Sequence, residues 1–124
     1  MGFTQVEGVD FDETFASVMT NKSFRILLSI WNYFPGLFLE HWDVKNAFVN
    51  APLKETVFCV QVPGFERPGT VGKVLKLKKA LYGIKQAGNA WQNFLAEILV
   101  GLGAKRHPKD ECVYLFREND AWLF

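Results

Sequence analysis

Lys73-Val74-Leu75-Lys76-Leu77-Lys78 is followed, past a glycine-containing link, by Asn89-Ala90-Trp91-Gln92-Asn93-Phe94-Leu95-Ala96-Glu97-Ile98-Leu99-Val100-Gly101-Leu102-Gly103. Within this stretch the apolar period changes, and that change decides the fold class. Val74, Leu75 and Leu77 set against Lys73, Lys76 and Lys78 fit a short strand with one wet face. Trp91, Phe94, Leu95, Ile98, Leu99 and Leu102 instead recur at helical spacing, which predicts a helix from Gly88 or Asn89 to Leu102 with Gly103 as its stop.

Upstream, a second helix is expected over residues 21–34, capped by Thr20 or Asn21, striped by Phe24, Leu27, Leu28, Trp31 and Phe34, and stopped by Pro35-Gly36. Residues 37–44 read as a strand, Pro52 as a break, and residues 56–62 as another strand followed by the turn material Pro63-Gly64-Phe65 and Arg67-Pro68-Gly69. Downstream, residues 112–116 and 121–124 form a candidate hairpin, with Arg117-Glu118-Asn119-Asp120 as its turn. Residues 3–20 lack periodicity, and Asp10, Asp12 and Glu13 suggest an exposed loop there. The order predicts an α+β fold, an antiparallel sheet with helices packed on one side.

Bulk properties narrow the function classes. The 124 residues fit one domain spanning 1–124, and 49% hydrophobic against 22% charged residues argues against disorder. Twelve Phe and four Trp either fill a core or form surfaces that further chain would cover. Cys59 and Cys112 lack metal-cluster spacing and read as reduced, buried thiols. The N-terminus has no signal-peptide pattern, and the run Ile26-Leu27-Leu28-Ser29-Ile30-Trp31 is far short of a bilayer span of roughly 20 residues. An intracellular protein is expected, cytoplasmic or nuclear, neither secreted nor membrane-bound.

Charge is unevenly spread. Acids recur up to Glu66, but none falls between Arg67 and Gln92, where Lys73, Lys76, Lys78, Lys79 and Lys85 lie. Such a block is either a polyanion footprint or a solvated lysine face.

Asp43 closes the apolar segment 37–44. Read by itself, a carboxylate there is a cap, a salt-bridge partner or a metal ligand. Its context is more specific. Asp43-Val44-Lys45-Asn46-Ala47-Phe48, then Leu81-Tyr82-Gly83-Ile84-Lys85-Gln86-Ala87 and Ala90-Trp91, closely resemble the reverse transcriptase (RNA-directed DNA polymerase) domain of Ty1/copia-type retrotransposons. Its flanks match too: Gly2-Phe3-Thr4-Gln5, Val9-Asp10-Phe11-Asp12-Glu13-Thr14-Phe15-Ala16, Gln61-Val62-Pro63-Gly64-Phe65 and Leu75-Lys76-Leu77-Lys78-Lys79-Ala80. The match runs in unbroken order over essentially the whole chain.

The resemblance implies a partial fingers-palm structure and a role for each matched residue. Asp43 corresponds to the first catalytic aspartate, a ligand of both ions in a pair of Mg²⁺ (or Mn²⁺) about 4 Å apart. The backbone at Val44 would lie near the incoming triphosphate. Phe48 matches the aromatic that packs under the deoxyribose, although alone it also reads as a core residue. Tyr82, Lys85 and Gln86 fall where the family contacts the nucleotide and templating base. The lysines Lys73, Lys76, Lys78 and Lys79 then read as a nucleic-acid-facing patch. The implied partners are an RNA template, a DNA primer and a dNTP.

Departures from the family pattern set further expectations. Gly88-Asn89 stands where the family has Pro-Arg, and Val62-Pro63 replaces paired prolines. The family's Tyr-Val-Asp-Asp hairpin falls just beyond Phe124, and its triphosphate-gripping basic segment precedes the Gly2 match. One carboxylate of charge −1 does not neutralise two ions carrying +4. The sequence therefore predicts a fragment truncated at both ends that is inactive by itself and does not bind the metal pair stably. Asp110 and Glu111 are expected on the solvent side of the last hairpin, unable to substitute. The alternative is a non-catalytic module that binds nucleic acid or associates with an intact polymerase through an unpaired sheet edge.

Overall fold

A computed structural model describes residues 2–118 and 121–123. Helix and strand are mixed, as an α+β class requires, and the chain divides into two compact units: Met1–Phe15 with Asn46–Trp91, and Ala16–Lys45 with Gln92–Phe124.

The first unit is built on a hairpin. Strand β1 (Pro52–Val60) pairs antiparallel with β2 (Val74–Lys79), with Val57 opposite Leu77, Phe58 opposite Lys76 and Val60 opposite Val74. Pro52 opens β1 rather than breaking the chain before it. A strand's first position tolerates proline because the missing N–H need not join the ladder. Along β1, residues 53, 55, 57 and 59 turn inward and their neighbours outward. Ala51 and Ala80 are fully buried at the hairpin base, where the Ala80 amide donates to the Ala51 carbonyl at 2.9 Å. The connecting loop is tied by Gln61, whose amide donates to the carbonyls of Thr70 and Lys73 and accepts from the Arg67 amide and the Thr70 hydroxyl.

Two further pieces complete this unit. Before β1 comes a single helical turn over Ala47–Asn50, preceded by Asn46 in the left-handed conformation at φ 53°. Asparagine tolerates that region better than other side-chain-bearing residues. The aperiodic N-terminal segment contains a 3-10 turn, Gly2–Thr4, and a bridge between Glu7 and Phe11 that leaves Phe11 buried.

In the second unit, helix α1 covers Asn21–Tyr33. Thr20 caps it, its Oγ1 accepting from the Ser23 amide at 3.2 Å, and the helix ends at Phe34, where the following Pro35 disfavours helical backbone. The short helix Ala47–Asn50 of the first unit is α2, and Ala87–Gly101 is α3. Residues 87–91 of α3 belong to the first unit and 92–101 to the second. A Schellman ending closes α3: the Ala104 amide bonds the Leu99 carbonyl, the Gly103 amide bonds the Val100 carbonyl, and Gly103 takes φ 95°. Strands β3 (Lys105–His107), β4 (Asp110–Glu118) and β5 (Ala121–Leu123) follow as an antiparallel sheet in that order.

Four expectations change here. Residues 37–44 form no strand among the described residues, because a strand exists only through a hydrogen-bonded neighbour and this segment joins neither sheet. The single sheet becomes two small ones, β1–β2 and β3–β4–β5. Strand β3 was invisible as Lys105-Arg106-His107, which shows no apolar alternation; pairing of Lys105 with Leu115 makes it a strand. Cys59 and Cys112 are free thiols but half-buried rather than buried. Asn119 and Asp120, expected in the last turn, and Phe124 lie outside the described residues.

Candidate nucleotide and nucleic-acid site

Within the first unit, the sequence-predicted residues Phe48, Tyr82 and Lys85 come together. They line a cleft of about 370 Å³ with Gly2, Phe3 and Gly88 among its other walls. Phe48, half-buried on α2, stacks against Tyr82 with ring centroids 6.1 Å apart and planes 27° from parallel. Tyr82 is 91% exposed, so its outer face is open to a planar ligand. The Lys85 ammonium sits 5.1 Å from the centroid of the Phe11 ring, a cation–π placement beside the same loop.

That loop is held from below by two glutamines. The Gln5 carbonyl oxygen accepts from the Lys85 amide at 2.9 Å, and its NH₂ group donates to the Gln86 side-chain oxygen at 2.9 Å. The Gln86 NH₂ group in turn donates to the Asp10 carbonyl at 3.1 Å. Gln86 is 2% exposed. Both ends of its amide are committed inside the unit. The Gly2 amide adds a bond to the Gly83 carbonyl at 2.8 Å, and a Cβ on Gly2 would lie 2.6 Å from that oxygen. Only glycine allows the N-terminal turn to approach so closely.

Lys73, Lys76, Lys78 and Lys79 are all exposed, but they do not share one face. Lys76 and Lys78 point to one side of β2, and Lys79 to the other with Leu75 and Leu77, while Lys73 precedes the strand.

In the second unit, Asp43 and Val44 lie in the exposed, unpaired segment before α2. The expected position of Asp43 at a strand end is therefore not reproduced. A magnesium pair demands several hard oxygen donors. Among the described residues no group of three or more His, Cys, Asp or Glu is arranged to hold a metal, so these residues do not by themselves fit the ion pair.

The other acids of this unit differ in kind. Glu111 is exposed, as expected, and pairs with Arg106 at 3.0 Å. Asp110 is corrected: it is 6% exposed rather than solvent-facing. It accepts from the Ser23 hydroxyl, from the Thr20 amide at 3.0 Å and from the Cys112 amide at 3.1 Å, and these bonds lower its pKa from 3.8 to about 2. Neighbouring Cys112 has its thiol pKa raised, first by burial and then by the Asp110 charge. Ser17 completes the cluster, its carbonyl accepting from the Cys112 thiol at 3.2 Å and its amide donating to Gln92 at 2.7 Å. These bonds make Asp110 a structural anchor that ties Thr20 and Ser23 to Cys112.

Sequence reasoning missed Phe3 as a wall of the cleft, and Gln5 and the Phe11–Lys85 contact as supports of its loop. The signal available was the Gly2-Phe3-Thr4-Gln5 flank of the family pattern, but the hydrogen bonds span about 80 positions and leave no local trace.

Comparison with known proteins agrees with the motif reading. Residues 1–123 match the profile of the family described as reverse transcriptase (RNA-dependent DNA polymerase). The chain is 38% identical, over 96% of its length, to the retrovirus-related Pol polyprotein from transposon TNT 1-94 of Nicotiana tabacum. It is 33% identical over 99% of its length to the corresponding polyprotein from transposon RE1 of Arabidopsis thaliana, and 31% identical to that of RE2. It spans only 9% of the first of these proteins and 8% of the other two. No solved structure matches. Among the described residues no helix is long and apolar enough to cross a membrane. With the Asp43–Phe48 and Leu81–Trp91 motifs, the clustered Phe48, Tyr82 and Lys85, and a match from end to end, this chain belongs to the reverse transcriptase (RNA-dependent DNA polymerase) family, in its Ty1/copia retrotransposon branch.

Proposed function

We propose that these residues form the nucleotide-receiving part of an RNA-directed DNA polymerase of fingers-palm architecture, and that by themselves they do not catalyse. The observation that carries this reading is the Phe48–Tyr82 stack beside Lys85, on a loop anchored by Gln5 and Gln86. Phe48 supplies an apolar floor for a deoxyribose, where an added 2′-hydroxyl meets the ring. Tyr82 offers an open face to the nucleotide, and Lys85 a cation for its phosphates. Val44 contributes backbone near the triphosphate. Gln86 acts as a positioning residue, fixing the loop without touching ligand.

Asp43 is the metal-facing carboxylate of the complete enzyme, one donor of a set that these residues do not complete. Family members use divalent ions; here the argument for inactivity is that one carboxylate neither neutralises nor positions a pair of them. The test is primer extension by the 124-residue chain on an RNA template with Mg²⁺ or Mn²⁺. No product is expected. Extension that disappears in Asp43→Ala would sink the inactivity claim. The cleft is tested separately by dTTP titration followed by NMR: Tyr82→Ala and Lys85→Glu are each expected to weaken binding about tenfold, in line with one lost stacking or charge-assisted contact. Equal binding by both variants removes the nucleotide reading.

A second reading, a non-catalytic nucleic-acid-binding module, is favoured by the exposure of Lys73, Lys76, Lys78 and Lys79. It coexists with the first, since a polymerase must also hold template and primer.

A further inference from the structure

Lys85 lines the Phe48–Tyr82 cleft, yet its ammonium has no ion-pair partner among the described residues. It rests instead 5.1 Å from the centroid of the Phe11 ring. Acids flank that ring in sequence and leave the cation alone: Asp10 turns its carboxylate to the Val6 amide at 2.8 Å, and Asp12 forms no ion pair. Phe11 is 7% exposed and is not a wall of the cleft, so whatever it does for a ligand it does through Lys85.

The ring is itself held in place. The Gly8 amide donates to the Phe11 carbonyl at 2.9 Å and the Asp10 amide to the Val6 carbonyl at 2.8 Å, closing residues 6–11 on themselves. A directed chain of amides then joins this segment to Lys85. The Lys85 N–H donates to Gln5, the Gln5 NH₂ group to Gln86, and the Gln86 NH₂ group to the Asp10 carbonyl, one residue before the ring. Each side-chain amide accepts at one end and donates at the other, so neither can flip without setting like against like. Cation and ring are thus carried by the two ends of one hydrogen-bonded path.

We propose that Phe11 is a positioning residue for Lys85, holding the ammonium charged and uncommitted on its ring so that an anionic ligand in the cleft meets it already in place. The inference rests on the nucleotide reading of the cleft and deepens it. A carboxylate in the same position would neutralise the cation and compete with phosphate oxygens. The ring attracts the ammonium through its quadrupole, weakly enough to release it, and leaves the charge in force. Ordering a long side chain before the ligand arrives lowers the entropic cost of binding. Burial of an aromatic ring, by contrast, requires no cation at its face.

The test is NMR titration of the chain with inorganic triphosphate and with thymidine, without divalent ions. Replacing Phe11 by pentafluorophenylalanine nearly keeps the shape of the ring and reverses the charge of its face. Triphosphate affinity is expected to fall about three- to fivefold, the range of an exposed cation–π contact, while thymidine, which carries no charge, binds as before. Phe11→Leu should give the same loss, and Phe11→Tyr should keep the native affinity. In the native chain the ε-methylene protons of Lys85 should resonate upfield through the ring current, a shift that Phe11→Leu removes. Slow exchange of the Lys85 amide, bonded to Gln5, reports that the loop of each variant is intact. If Phe11→Leu does not fold, the fluorinated ring decides.

Unchanged triphosphate binding with the fluorinated ring overturns the assignment, and so does a loss that is equal for thymidine, which marks Phe11 as packing only. Either result leaves the cleft standing, because the native chain still binds. Failure of the native chain to bind either probe overturns the nucleotide reading and this assignment together.

Discussion

The two units are each pinned by one buried polar side chain that ties distant stretches together, but the chemistry of the pin differs. In the first unit it is a neutral amide, Gln86, joined to Gln5 and Asp10. In the second it is a charge, Asp110, joined to Thr20 and Cys112. Every buried side-chain nitrogen or oxygen among the described residues has a partner, so neither pin leaves a desolvated group unpaired. The buried apolar residues of the first unit are mostly small: Ala51, Ala80 and Ala87, with Phe11 and Val57. Those of the second unit are Ala104 and Val113 among the described residues, while helix α1 has no buried residue. Where apolar burial is this thin, hydrogen bonds with fixed geometry carry more of the specification. An amide and a carboxylate then respond differently to substitution and to pH.

Substitution at Gln86 is the strongest way to break the comparison. Gln86→Leu keeps the volume but strands the Gln5 amide and the Asp10 carbonyl. A loss of about 2 kcal/mol from the first unit is expected, from two part-buried groups left without partners. Hydrogen exchange at the Lys85 amide reads it directly, since that amide bonds Gln5. Exchange rising at Thr20 and Cys112 to the same extent would mean that the two pins do not act separately.

Acid titration is the next, and it discriminates by sign. The Asp110 carboxyl titrates at 3.8 when unfolded and at about 2 when folded. A depressed folded value means that its contribution is complete above 3.8 and is lost as pH falls through about 2. The second unit should therefore loosen over that window. NMR shifts of the Thr20 and Cys112 amides follow the step, which Asp110→Asn should abolish. A step that survives in the variant assigns the acid response elsewhere. Gln86 has no proton to gain in this range.

The smallest effect is expected at Thr20→Ala, which removes the α1 cap but leaves the backbone amide free to bond Asp110. The cost is about 1 kcal/mol, read as a lower thermal midpoint of helical circular dichroism. A loss as large as that of Gln86→Leu would show that the side chain matters to more than the helix end.

Much of the local structure was legible. Thr20 and Pro35 bracket α1, Gly103 ends α3, and alternation marks β2, because caps, stops and periods act within a few residues. The resemblance at Asp43–Phe48 and Leu81–Trp91 located Phe48, Tyr82 and Lys85, and these do share one cleft. The failures have a common origin. Residues 37–44 have strand-like composition, yet composition supplies no ladder partner. Lys105-Arg106-His107 lacks strand-like composition, yet β4 supplies one. Asp110 looked like a surface acid because its three donors come from Thr20, Ser23 and Cys112, two of them some 90 positions away.

From the sequence alone came the family, the helix ends and the motif residues Phe48, Tyr82 and Lys85 that share a cleft, all properties of short segments or of order along the chain. Tertiary structure alone decided which strands pair, that Gln86 is buried and bonded to Gln5 and Asp10, that Asp110 is an anchor, and that Phe58 stands opposite Lys76. Those outcomes depend on contacts between residues remote in sequence, and the free energy of such a contact is set by the neighbour that folding brings, not by the residue itself.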